Sequence, residues 1–122
     1  MIRGKVTSLK QAVIQHELVG RNGNAMLIDA VVDTGFNGHL TIPVNVAKSL
    51  DLQIRETREY QLGNGSLEEF LVYDANLLWD ISPRRVGALA TDGPTLVGMS
   101  MLQGCTIYID AVDGGIVEIT NR

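Results

Sequence analysis

The residues that could do chemistry lie in Val31-Val32-Asp33-Thr34-Gly35-Phe36-Asn37-Gly38. An apolar run ends in a carboxylate, then a hydroxyl and a glycine, with a second glycine three residues on. A carboxylate at the end of an apolar strand is partly desolvated, a setting in which it can serve as acid or base toward a bound water. Gly35 lets the backbone turn sharply or a substrate approach closely. Thr34 can hydrogen-bond the loop and hold it rigid. Asp-Thr-Gly alone decides little. Ordinary residue usage yields it by chance in roughly 2% of chains this long, and an ordinary turn after a strand would read the same way.

The elements that must position this loop are short and mostly extended. Lys5 to Ser8 reads as a first strand and Ala12 to Val19 as a second. Asn22-Gly23 within Gly20 to Asn24 is a tight-turn signal. Ala25 to Val32, apolar except for Asp29, predicts a strand covered on both faces. Thr41 to Leu50 reads as a strand end running into a short helix. Pro43 is acceptable in its first turn, and Val44, Ala47 and Leu50, joined by Val46, give an apolar face. Glu56 to Leu62 and Ser66 to Trp79 flank Gly63-Asn64-Gly65 and predict a long hairpin with a small polar tip. Val86 to Ala90 is another strand, and Asp92-Gly93-Pro94 breaks the chain. Leu96-Val97-Gly98 leads into a short helix, Met99 to Gln103. Thr106 to Ile109 and Ile116 to Ile119 make a last hairpin around Asp113-Gly114-Gly115. The expectation is one all-β domain over residues 1–122 with one or two short helices, built as a small barrel or sandwich.

Composition excludes several functions. The 122 residues are 45% apolar and can bury a core without staples. Cys105 is the only cysteine, which fits a reducing, cytoplasmic setting. No apolar run follows the N-terminus as in a secretory leader, and none reaches the ~20 residues of a membrane span. Net charge is −4, the ten Lys and Arg are scattered, and aromatics are 5%. Neither a basic face nor a base-stacking platform is expected, so nucleic acid is not a partner. Two His and one Cys at wide separations do not make a zinc site, and no metal or cofactor is expected. His39 reads as a lone exposed histidine and His16 as a strand-surface residue. Cys105, Met99, Met101 and Leu102 read as packing, and Glu68-Glu69 as a solvated patch.

Taken together, Ala30 to Pro43 resembles the active-site region of the retropepsin-like aspartic proteases. Leu96-Val97-Gly98-Met99-Ser100-Met101-Leu102 is similar to that family's downstream stretch, in which two apolar residues and a glycine open a helix. The Gly63-Asn64-Gly65 hairpin falls where the family has its flap. The Asp-Thr-Gly-Phe-x-Gly loop and Trp79 resemble the small stand-alone prokaryotic members. This resemblance spans nearly the whole chain and implies a closed acid-protease barrel. It implies that Asp33, Thr34 and Gly35 are catalytic, that Leu62, Gly63, Asn64 and Gly65 form the flap, and that peptide or protein is the substrate. Two features depart from the viral pattern: its supporting ion pair is replaced by Asn37 and Met99, and Phe36 is bulkier than the usual small residue.

The chain has a single Asp-Thr-Gly, so a second carboxylate must come from a two-fold mate. The implied activity is that of a homodimeric aspartic endopeptidase. The alternatives are a silent dimer of the same fold that binds extended peptides, and a structural barrel with a chance Asp-Thr-Gly. The sequence leaves open which strands build the dimer interface; the resemblance to viral members makes the terminal strands, including Ile116 to Ile119, candidates.

Overall fold

Apolar alternation drives most of the chain into strands. The computed structural model describes residues 1–122. Its strands are β1 (Ile2–Val6), β2 (Ala12–Val19), β3 (Ala25–Val32), β4 (Leu40–Pro43), β5 (Ile54–Gln61), β6 (Leu67–Trp79), β7 (Ser82–Thr91), β8 (Leu96–Val97), β9 (Cys105–Ile109) and β10 (Ile116–Asn121). Two short helices, α1 (Val44–Ser49) and α2 (Met99–Leu102), complete it. The fold is all-β. The strands form one sheet in the order β5-β6-β7-β4-β8-β3-β2-β1-β10-β9, with β6 also pairing β2. No helix is long and apolar enough to cross a membrane.

Most strands pair antiparallel, but the centre is different. The two-residue β8 lies between β3 and β4, parallel to the first and antiparallel to the second. The chain leaves β3, makes the Asp33 loop, and returns as β4 on the far side of β8. The loop is therefore held where β8, from a distant part of the sequence, inserts between the two strands that flank it.

Inward residues of β2, β6 and β10 alternate with outward ones, and their inner faces merge into one core of 22 buried residues. Ile14, Leu18, Leu40, Ile42, Met101 and Ile119 are among its fully buried side chains. Thr41 is buried among them for a different reason. Its hydroxyl donates to the Pro94 carbonyl at 3.1 Å and accepts from the Leu96 amide at 2.8 Å, pinning the approach to β8. Thr41→Val keeps the shape and strands the Leu96 N–H. It should cost about 1–2 kcal/mol, read as a lower urea midpoint at unchanged m-value.

Several expectations need correction. The first strand is Ile2–Val6, because Thr7 to Lys10 closes a turn with Lys10 at φ 64°. β3 is not covered on both faces; Leu27 is 69% exposed. Pro43 is extended and precedes α1 instead of sitting in its first turn. β7 starts at Ser82, four residues early, because its register with β6 runs back to Trp79↔Ser82. β10 is paired on both edges, by β1 and β9, so the free terminal edge is β9. His16 is buried, at 4% exposure, and lies between Ile14 and Leu18 on the inner face of β2. His39 is half-buried. Cys105 is also half-buried, its thiol donating to Asn121 Oδ1 at 3.3 Å, and Met99 is 44% exposed while Met101 and Leu102 are core.

Candidate active site

The Asp33 amide donates to the Val97 carbonyl at 2.9 Å, which extends the β3–β8 pairing one residue into the loop. The chain then turns. The Gly35 amide donates to Asp33 Oδ1 at 2.9 Å and the Phe36 amide to the Asp33 carbonyl at 3.2 Å. A β-carbon on Gly35 would stand 3.2 Å from Asp33 Oδ1, so glycine keeps the carboxylate uncrowded. Asp33 is half-exposed, and Thr34 and Gly35 are exposed. The Thr34 hydroxyl makes no hydrogen bond within the chain. The expectation that it braces its own loop is replaced by this backbone-to-carboxylate bond.

The loop is tied to the start of α2 by four bonds. Gly98 N–H donates to the His39 carbonyl at 3.0 Å, Met99 N–H to Phe36 at 2.8 Å and Ser100 N–H to Gly38 at 3.2 Å. The Ser100 hydroxyl donates to the Asn37 carbonyl. No ion pair joins Asn37 and Met99; the Asn37 carbonyl is held by the Ser100 hydroxyl and the Met99 amide by the Phe36 carbonyl. The Phe36 ring fills the space that β-carbons on Gly38 and Gly98 would need, at 2.5 and 2.6 Å. A β-carbon on Gly98 would also fall 2.3 Å from the Gly38 carbonyl oxygen. Backbone on that side cannot yield cheaply, so Gly98→Ala should cost about 2 kcal/mol and be read in thermal unfolding.

The turn of residues 62–65 joins β5 to β6. The Leu62 and Ser66 backbones bond at 2.8 Å, and Asn64 Oδ1 accepts from the Ser66 amide and hydroxyl at 3.0 and 2.7 Å. Gly65 has φ +86°, the left-handed value that favours glycine at this corner. The hairpin arm is solvent-exposed through most of β5 and the start of β6. No hydrogen bond joins this tip to the Asp33 loop within one chain.

A cavity of about 360 Å³ lies between the loop and the strands at the base of that hairpin. Phe36, Gly38 and His39 line its loop side, and Arg55, Arg58 and Tyr60 of β5 face them. Sequence does not mark Arg55, Arg58 and Tyr60 as site candidates, and it sets His39 aside as a lone exposed histidine. His39 is held below its ordinary pKa by burial first and then by the charges of Arg84 and Arg55. The Arg55 and Arg85 guanidiniums hold the Asp74 carboxyl below the usual carboxylate range. No cluster of three or more His, Cys, Asp or Glu side chains could hold a metal.

Compared with protein-family models, curated proteins and solved structures, the chain matches none. The residues and their geometry therefore carry the functional reading.

Proposed function

We propose that this chain is a retropepsin-like aspartic endopeptidase that works as a homodimer, each subunit giving one Asp33. The observation that carries the proposal is the Asp33 loop itself. A solvent-reaching carboxylate is fixed by the Gly35 amide at 2.9 Å and anchored through its own amide to Val97 at 2.9 Å. A chance turn after a strand has no need of a third strand inserted beside it or of four ties to α2. The second pairing of β6, with β2, supports the closed barrel. It makes β2, β3, β8, β4, β7 and β6 a ring of hydrogen-bonded neighbours.

Two-fold symmetry brings the two Asp33 side chains together at the axis. Carboxylates that close share one proton, the known behaviour of aspartic protease dyads. The ionised member takes a proton from a water, whose oxygen attacks the scissile carbonyl carbon. The protonated member gives its proton to the carbonyl oxygen. Collapse of the tetrahedral species breaks the C–N bond, and the amine leaves with a proton. Thr34, whose hydroxyl has no partner in its own chain, bonds across the axis. Leu62, Gly63, Asn64 and Gly65 close over an extended peptide, whose main chain pairs with the hairpin. Metal and cofactor have no part in this scheme. The test is digestion of a mixed peptide library by wild type and by Asp33→Asn, with the products read by mass spectrometry. Identical products, or none from either protein, would refute it.

A further inference from the structure

The cavity beside the Asp33 loop has a charge opposite in sign to that of the chain. The protein carries net −4, yet the cavity is lined by Arg55 and Arg58 and by no Asp or Glu. A β-bulge between Ile54 and Glu56 makes Arg55 the extra residue of its strand. Bulges re-aim side chains, and this one turns Arg55 toward the cavity that Arg58 and Tyr60 also line.

Arg55 Nε donates to Asp74 Oδ1 at 2.5 Å, and Arg85 donates to Asp74 Oδ2 at 3.1 Å. One carboxylate stands between two guanidiniums, so the trio keeps one net positive charge. The two Nη groups of Arg55 donate to no protein atom. Nη1 lies over Gly87, 3.0 Å from where a β-carbon would sit, so the missing side chain makes room for the fork. Arg58 is different, being occupied by Glu56 and by the Tyr60 hydroxyl. The lowered proton affinity of His39, due in part to Arg55, agrees with a positive field in the cavity.

We propose that this cavity is a subsite that selects a substrate side chain ending in a carboxylate, Asp or Glu, with the free Nη groups of Arg55 as its partner. It rests on the protease reading of the adjoining loop. A guanidinium fork receives a carboxylate through two parallel hydrogen bonds, which an amide isostere cannot match. A lysine side chain in the same place would be repelled.

The test uses the Asp33→Asn protein, which should hold peptide without cleaving it. Amidated decapeptide pools, randomised except for one position fixed as Glu, Gln or Lys, carry a neutral dye and are titrated by fluorescence anisotropy. Amidation removes the terminal carboxylate as a competing source. At one position the Glu pool should bind about tenfold tighter than the Gln pool. Adding Arg55→Met should bring that ratio within about twofold, chiefly by weakening the Glu pool, and leave Asp74 paired with Arg85. Arg55→Lys should restore part of the preference. Equal Glu and Gln binding, a ratio that survives Arg55→Met, or no binding by any pool would overturn the inference. Wild-type digestion of the same pools separates the two claims. Cleavage without Glu preference sinks the subsite alone, and Glu preference without cleavage sinks the protease alone.

Discussion

Asp33→Asn should reduce peptide cleavage by about 10³-fold while leaving thermal stability and dimerisation close to wild type. Asparagine has the same shape and its Oδ1 can still accept from the Gly35 amide, so the loop keeps the bond that fixes it. What is lost is the ability to take a proton from water and to pass one to the carbonyl oxygen. The proposed homodimer allows a stronger form of the test. When equal amounts of wild type and Asp33→Asn exchange subunits, half of the wild-type chains end with a dead partner. Activity per wild-type chain should then fall to about half, and further with excess variant. A lone carboxylate acting within one chain would show no such dilution. Unchanged activity per wild-type chain, with exchange demonstrated by a labelled subunit, would exclude the shared dyad.

What sequence could say about this site depended on the range of the interactions involved. Short-range signals were legible. Asn22-Gly23 and Asn64-Gly65 stand at the turns they announce, with Gly23 and Gly65 at φ +83° and +86°. The apolar run before Asp33 is a strand, and Val97-Gly98 does open a short helix. The reason Gly38 and Gly98 are glycines was not legible, since the Phe36 ring that claims their space arrives through tertiary packing. Arg55 shows the limit more sharply. Strict alternation along β5 puts it on the face opposite Arg58 and Tyr60. Only the register shift against β6 turns it into the cavity, and nothing local to Ile54-Arg55-Glu56 signals a bulge. His16 failed for a related reason. Polar residues in a half-apolar strand read as outward-facing, but the phase set by Ile14 and Leu18 turns this one inward.

That inward turn has a thermodynamic consequence. Neither ring nitrogen of His16 has a hydrogen-bond partner, and burial lowers its pKa from 6.5 to about 4. Below pH 6.5 the unfolded chain binds a proton at His16 that the folded chain refuses. The protonation penalty on the fold is therefore absent above pH 6.5, grows as pH drops, and is fully developed near pH 4. The gap corresponds to about 3 kcal/mol, or roughly 10 °C in the unfolding midpoint of a chain this size. His16→Leu has no proton to bind and removes two unpaired nitrogens from the core. It should flatten the stability curve between pH 6.5 and 4 and gain about 1–3 kcal/mol at pH 7. His39, also lowered, acts in the same direction, so the quantity to compare is the difference between wild-type and variant curves at equal protein concentration. Asp74 belongs to a lower window. Its carboxyl is depressed by Arg55 and Arg85, so its contribution holds above the unfolded aspartate value and is lost as pH falls through the folded one. If the wild-type and His16→Leu curves run parallel from pH 7 to 4, the ring is not held neutral by its burial. The inward phase of β2 would then need another explanation.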